Sequence, residues 1–394
     1  MRIESVEFFY LAMPEVTLEA DGSQDALLVA VHAGGLTGWG ECEASPLVSI
    51  AAFITPRSHG VCQPVSASVV GEMLDGPEDI RRIATLVARN SMDLLQAAHT
   101  FSGVEMALWD LLGKARGEPV WKLLGYDRAH AKTPYASLLF GATPAETLEA
   151  GRSAVERGFR AIKFGWAGFG EGDVATDRDQ LMAAREALGP EGILLVDAGQ
   201  IWVEDVERAA ARMPALAEAR TTWLEEPFEA AAYETYKALS LRVAGGVKLA
   251  GGEGAHNVHM ARHLIDLGGV GFVQIDCGRI GGIGPAKAVA DYAQARGVTY
   301  VNHTFTSHLA LSASLQPYAG IADDRICEYP AAPKQLAVDI TREHIVPDAN
   351  GEVHVPDAPG LGLTVNLEAL GRYQRRVEIA VDGELLHQSR SIGG

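Results

Sequence analysis

Eight short apolar segments recur along the chain from about residue 132, and helical stretches separate them. The segments are PYASLL, AIKFGW, ILLVDA, TWLEE, VKLAGGE, FVQID, VTYVNH and RICEY. Within the stretch 257–268, for example, Met260, Leu264 and Leu267 fall on one helical face. Strand and helix alternating eight times over about 200 residues predict a parallel (β/α) barrel rather than a doubly wound sheet.

Residues 1–125 show a different pattern. Segments 1–12 and 25–32 have the composition of strands, and closely spaced glycines mark a hairpin that ends in GWGECEA. Residues 76–115 are predicted to be helical, whereas 44–64 are rich in Pro, Ser and Gly, as is typical of a mobile loop. The sequence therefore predicts an α+β domain over 1–125, a barrel over 126–330 and a C-terminal segment over 331–394.

The charge of the chain limits its partners. Lys plus Arg number 33 and Asp plus Glu number 51, which gives 33 − 51 = −18 with no basic block. Nucleic acids and anionic membrane surfaces would be repelled. The four cysteines lie far apart without a CxxC pair, no apolar run could span a bilayer, and the first residues include acids where a signal peptide is basic and then apolar. We expect a cytoplasmic enzyme that acts on a small molecule.

Each of the last seven predicted strands ends at a polar residue. These residues are Lys163, Asp197, Glu225, Glu253, Asp276, His303 and Glu328, separated by 23 to 34 positions. Any one of them could be a helix cap or a solvated loop charge. Seven at intervals of one strand and one helix would all meet at the carboxyl ends of the barrel strands, where the active sites of such barrels lie.

Three consecutive strand ends carry carboxylates, at Asp197, Glu225 and Glu253. They would repel one another unless a cation neutralised them. An all-oxygen ligand set favours Mg²⁺, with Mn²⁺ as the alternative, over zinc.

The neighbouring strand ends supply acid–base groups. Asp276 and His303 end adjacent strands, so the aspartate could orient the imidazole and make it a general base. Lys163 could pair with a bound carboxylate, or act as a base if its pKa is depressed.

The ordered motifs at these positions resemble those of the enolase superfamily, and within it the mandelate racemase subgroup. The matching motifs are IKFG, VDAGQ, WLEEP, LAGGE, QID followed by GG, NH, ALWDLLGK, PVWKLLG and VPDAPGLGL. The resemblance covers about residues 1 to 366. It implies an α+β capping domain on a modified (β/α)7β barrel of the TIM type, a C-terminal segment that returns to the cap, a small carboxylate substrate and assembly as a homo-oligomer.

The resemblance also implies roles for single residues. The Mg²⁺ ligands correspond to Asp197, Glu225 and Glu253, and the catalytic dyad corresponds to His303 and Asp276. Glu328 matches the acid that hydrogen-bonds the enediolate oxygen opposite the metal. Cap loops 13–24 and 44–64 are expected to cover the substrate. The candidate substrate-binding residues are Arg57, His59, Trp166 and Gln200.

Two departures from the family pattern bear on the reaction. Where many members have Lys-x-Lys, this chain has Lys163 followed by Phe164 and Gly165, and Gly199 replaces a second-face histidine or asparagine. His303 then remains as the one evident base, which is sufficient for dehydration of an acid sugar (aldonate or aldarate) to a 2-keto-3-deoxy acid. The alternatives are racemisation, epimerisation or cycloisomerisation with Lys163 as a second base, and a metal-binding scaffold without catalysis.

Overall fold

The computed structural model describes residues 1–19, 21–43 and 46–392. An antiparallel sheet of three strands, β1 (Ile3–Ala12), β2 (Asp25–Ala33) and β3 (Leu36–Cys42), begins the capping domain. Its helices are α1 (Pro46–Ile54), α2 (Pro77–Asn90), α3 (Ala97–Arg116) and α4 (Val120–Leu123). A Cβ atom at Gly40 would lie 2.1 Å from the Gly103 carbonyl oxygen, so glycine allows α3 to pack directly on β3.

The segment 44–64 was expected to be a mobile loop, and this expectation was wrong for residues 46–54. Residues 46–54 form α1, while 44 and 45 lie outside the described residues. The apolar residues of this segment have helical spacing, and they bury Ile50 and Phe53. The Phe53 ring meets the Phe8 ring edge to face at 4.9 Å, so the segment contributes to the core of the cap.

Eight parallel strands form the second domain, as the sequence predicts. They are β4 (Thr133–Leu139), β5 (Ala161–Gly165), β6 (Ile193–Asp197), β7 (Thr221–Glu225), β8 (Lys248–Gly251), β9 (Phe272–Asp276), β10 (Thr299–His303) and β11 (Ile326–Tyr329). Hydrogen bonds join them in the order β10-β9-β8-β7-β6-β5-β4-β11. Tyr135, Leu195, Trp223, Phe272 and Val301 are among the inward residues that fill the barrel below its mouth.

Side-chain hydrogen bonds connect β10 to β11, which no backbone ladder joins. The Asn302 amide donates to the Glu328 carbonyl oxygen at 3.2 Å, and it accepts from the Glu328 N–H at 3.0 Å. It also donates to Ser314 Oγ and accepts from the Tyr318 hydroxyl. The barrel is thereby almost closed.

Seven helices alternate with the barrel strands. They are α5 (Pro144–Glu156), α6 (Val174–Leu188), α7 (Val206–Glu218), α8 (Tyr233–Ser240), α9 (Val258–His263), α10 (Ile283–Arg296) and α11 (His308–Leu315). Side chains of Asp173, Asp205 and Asn257 accept hydrogen bonds from first-turn N–H groups, which stabilises the starts of α6, α7 and α9. The fold is therefore a (β/α)7β barrel with an N-terminal α+β capping domain.

The cap docks on the barrel through a buried carboxylate of α3. Glu105 accepts hydrogen bonds from the N–H groups of Ile283 at 2.7 Å and Gly284 at 2.8 Å, at the start of α10. The Trp109 indole donates a third hydrogen bond at 2.8 Å. One side chain of the cap thus satisfies backbone donors of a barrel helix.

The C-terminal segment contains α12 (Gln335–Asp339), α13 (Leu367–Leu370) and an antiparallel hairpin of β12 (Glu378–Val381) and β13 (Glu384–Gln388). Several hydrogen bonds join it to the cap. The Leu361 N–H donates to Asp110 at 2.8 Å, and Arg375 donates to the Met13 carbonyl oxygen at 2.6 Å. No helix in the described part of the chain combines the length and the apolar character that crossing a bilayer requires.

Candidate active site

A cavity of about 670 Å³ opens at the carboxyl ends of the barrel strands. Five of the seven strand-end residues line it, namely Lys163, Asp197, Glu253, His303 and Glu328. The other two lie directly behind: Glu225 contacts Lys163, and Asp276 contacts His303. The structure therefore brings all seven to one mouth, as expected for parallel strands in register.

His303 and Asp276 form a buried pair. Asp276 Oδ2 lies 2.7 Å from His303 Nδ1, while Asp276 Oδ1 accepts the Gly278 N–H at 2.6 Å. The other ring nitrogen, His303 Nε2, lies 3.1 Å from Glu253 Oε2. Burial disfavours the charged ring, but Glu253, Glu328 and the hydrogen bond to Asp276 together raise the pKa of His303 to about 10. The charged ring is favoured while Glu253 carries its full negative charge, and a cation bound to Glu253 would lower the pKa of His303 toward the range of a general base.

Lys163 is surrounded by carboxylates. Its Nζ lies 2.7 Å from Glu225, 3.1 Å from Glu328 and 3.4 Å from Asp197. Burial alone would lower the pKa of Lys163, yet Glu225 and Glu328 hold it well above its usual value. In this environment Lys163 is a fixed positive charge rather than a base.

Two residues that the sequence analysis missed connect the cap to this mouth. Arg279 forms a bidentate ion pair with Glu43 at 2.8 and 3.0 Å, and it donates to Glu253 Oε1 at 3.1 Å. Neither Arg279 nor Glu43 ends a barrel strand, so the strand-end rule does not select them. The available signals were a single arginine in the glycine-rich turn CGRIGG and the second acid of GECE.

The three acids of consecutive strands fit a hard divalent cation by their chemistry. Glu225 is fully buried, and burial raises its pKa well above the ordinary value against the attraction of Lys163. Among the described residues no three ligating side chains are already grouped closely enough to hold a metal ion. Lys163 contacts Glu225 and Asp197, and Arg279 contacts Glu253, so these carboxylates would exchange a cationic side chain for the metal. All three donors are oxygens, which is the set that Mg²⁺ prefers.

Glycines stand at the two positions where the resemblance implies a second functional side chain, Gly165 and Gly199. A Cβ atom at Gly165 would lie 2.6 Å from Asp197 Cβ. Gly199 has a φ of +54°, and a Cβ atom there would lie 2.7 Å from the Trp166 ring. Trp166 lines the cavity and is 46% exposed. An indole therefore fills the space beside Gly199.

The remaining candidate substrate-binding residues do not line the cavity. Gln200 donates to Glu226 at 2.8 Å and is not among the lining residues. Arg57 and His59 also lie outside the lining, and the exposed His59 is 3.1 Å from Asp93. In loop 13–24, of which residue 20 lies outside the described part, Glu19, Asp21 and Gly22 line the cavity.

The chain matches two family models along most of its length. The mandelate racemase / muconate lactonizing enzyme N-terminal domain matches residues 11–125, and the enolase C-terminal domain-like model matches residues 146–370. Both matches fall on the two parts of the fold described above.

The names of the relatives differ in the activity that they state. The crystal structure of a predicted mandelate racemase from Rhodobacter sphaeroides is 65% identical, with a TM-score of 0.96 and coverage of 99% of this chain and 100% of that chain. A 3,6-anhydro-alpha-L-galactonate cycloisomerase from Streptomyces coelicolor is 31% identical over 70% of this chain and 72% of its own. An L-talarate/galactarate dehydratase from Salmonella typhimurium is 32% identical over 64% and 63%. This chain therefore belongs to the enolase superfamily, in its mandelate racemase subgroup.

Proposed function

We propose that this protein removes the proton α to the carboxylate of an acid sugar and expels the β-hydroxyl as water, giving a 2-keto-3-deoxy acid. The observation that carries the proposal is the asymmetry of the cavity. One wall presents His303, oriented by Asp276 at 2.7 Å, and the other presents the Trp166 ring next to Gly199. A single base is sufficient for this elimination, whereas inversion at C2 requires acceptors on both faces.

In this elimination His303 alone carries out both proton transfers at the enzyme. Its Nε2 accepts the C2 proton, and the electron pair of the C–H bond passes into the carboxylate as an enediolate. Collapse of the enediolate forms the C2–C3 double bond and breaks the C3–O bond. The leaving oxygen takes the proton back from Nε2 and departs as water from the same face. The resulting enol then takes a solvent proton at C3. Proton transfer by a positioned side chain contributes on the order of 10² to 10⁴ in rate.

The developing negative charge needs compensation in this buried site. Lys163 is the fixed cation among the strand-end residues, and Glu328, held beside it at 3.1 Å, is the side chain that would hydrogen-bond the enediolate oxygen. When bound, a divalent ion held by Asp197, Glu225 and Glu253 would supply Lewis-acid stabilisation of the carboxylate oxygens.

Cycloisomerisation is the second candidate, and the 31% identical cycloisomerase from Streptomyces coelicolor favours it. The same proton abstraction by His303 would begin the reaction. The leaving oxygen would then be a ring oxygen that remains attached to the molecule, so the product would have the mass of the substrate.

A panel of aldonates, aldarates, sugar lactones and anhydro sugar acids, incubated with Mg²⁺ and separately with Mn²⁺, tests both candidates. Dehydration gives a 2-keto acid that has lost one water, with solvent deuterium at C3 in D₂O. An isomer of unchanged mass indicates cycloisomerisation. Accumulation of the C2 epimer with deuterium at C2, and no keto acid, contradicts the proposal and requires a second base.

A further inference from the structure

The cations around the cavity are already engaged by the protein's own acids. Among the described residues that line it, Lys163 and Arg279 are the two with permanent positive charge. Lys163 faces three carboxylates, and Arg279 is divided between Glu43 and Glu253. Both lie at the inner end, beside the strand ends where the reacting carboxylate must bind.

The charged residues that line the outer part of the cavity are acidic. Glu19 and Asp21 of loop 13–24 line it. Their shared counter-ion is Lys334, whose Nζ lies 3.1 Å from Glu19 and 3.5 Å from Asp21. One cation between two acids leaves this end with a net negative charge, which disfavours an additional anion.

The rest of the outer wall is mainly apolar. It consists of Leu138, Leu139, Trp166, Phe305, Pro330, Ala331, Ala332 and Pro333. Leu139 is 42% exposed and Trp166 is 46% exposed, so both present apolar surface to the cavity. A flat indole and a leucine suit the C–H face of a sugar chain or ring, and neither carries a positive charge to pair with a carboxylate.

We infer that the substrate is a monocarboxylate whose far end is uncharged and partly apolar, such as a deoxy or anhydro sugar acid, and that aldarates are rejected. The inference rests on the proposed function for the placement of the reacting carboxylate at the inner end. A second carboxylate at the far end would give up its hydration to face Glu19, Asp21 and an apolar wall, where the nearby cation, Lys334, is already shared by two acids. Charge selection in this site therefore comes from the absence of a partner as well as from repulsion.

The test uses matched sets of six-carbon acids with the same configuration: an aldonate, its 6-deoxy form and the corresponding aldarate. With the Mg²⁺-loaded protein, kcat/KM is taken from loss of the C2–H signal in D₂O, which is independent of the product formed. We expect the deoxy acid and the aldonate to exceed the aldarate by at least about tenfold, that is about 1.4 kcal/mol. An aldarate consumed as fast as its aldonate would overturn the inference. Product identity separately decides the proposed function.

Direct binding tests the inference without turnover. His303→Asn, loaded with Mg²⁺, is titrated with the same acids by calorimetry. We expect the aldonate or its 6-deoxy form to bind at least about tenfold more tightly than the aldarate. Equal binding, or binding of neither class, would overturn the inference.

A charge-installing variant provides the reverse experiment. Ala332 lines the outer cavity and is exposed, so Ala332→Arg places a cation there, and Ala332→Met is the uncharged control of similar length. The arginine variant should shift the ratio of aldarate to aldonate kcat/KM toward the aldarate by at least about tenfold relative to the methionine variant. Equal ratios in the two variants would count against the inference.

Discussion

The hydrogen-bond polarity of the Asp276–His303 pair makes Asp276→Asn a decisive test of the proposed chemistry. Asp276 uses one oxygen for His303 Nδ1 at 2.7 Å and the other for the Gly278 N–H at 2.6 Å. Asparagine has nearly the same shape, so packing is kept. The change replaces one of the two acceptors by an NH₂ donor.

The direction of the amide follows from Gly278. Its N–H can only donate, so the amide oxygen stays there and the NH₂ group faces His303 Nδ1. Nδ1 must then accept, which moves the ring proton to Nε2, the nitrogen that has to receive the substrate proton. Restoring the productive tautomer leaves two buried donors unsatisfied at about 1–3 kcal/mol each. A total of roughly 4 kcal/mol corresponds to a loss of about 10³-fold in kcat.

The assay is kcat together with exchange of the substrate C2 proton in D₂O, and thermal unfolding checks that the fold is intact. Asp276→Ala is the matched control, because it leaves Nδ1 free to carry its proton. We expect the alanine variant to retain at least about tenfold more activity than the asparagine variant. The tautomer argument would be refuted if the asparagine variant had the same kcat as the alanine variant, or a kcat within tenfold of the wild type.

Three further predictions follow from other parts of the molecule. Exhaustive chelation should abolish turnover, and added Mg²⁺ should restore turnover and raise Tm. Glu225→Gln should weaken Mg²⁺ binding measured by calorimetry. Full activity in the presence of chelator would contradict the metal assignment. Arg57→Ala should leave kcat/KM within about twofold, since Arg57 does not line the cavity and surface changes have small effects, and a tenfold loss would show that the cap rearranges. Burial raises the pKa of Glu105 to about 7, so the folded state holds this proton where the unfolded state has lost it. The stability that this group contributes is therefore lost as pH rises from about 4.5 to 7, by up to about 3 kcal/mol. The free energy of unfolding of Glu105→Gln, measured with urea, should rise relative to that of the wild type over this range. A difference between the two proteins that does not change with pH would contradict the raised pKa.

The strand-end residues could be predicted because a parallel barrel converts sequence spacing into spatial proximity. Lys163 and His303 are 140 positions apart in the chain, and both line one cavity because each belongs to a strand of the same parallel sheet. The eight strands themselves were predictable from short apolar runs, since both faces of such strands are buried.

Other contacts depend on how two domains dock, which local patterns do not encode. Arg279 and Glu43 are 236 positions apart and lie in turns, so neither periodicity nor spacing relates them. The helix α1 was missed for a different reason. Proline, serine and glycine make up four of the ten residues 55–64, and they concealed the helical spacing of Ile50 and Phe53 just before them.

The Asn302 amide between β10 and β11 has a consequence for how the site responds to its surroundings. Asn302 precedes His303 in the chain, and it holds both backbone groups of Glu328. His303 and the backbone of Glu328 are thus held relative to each other by a neutral group. High ionic strength that weakens the ion pairs of the mouth leaves these hydrogen bonds intact. The spacing of the two strand ends therefore does not depend on the strength of the ion pairs that their side chains form.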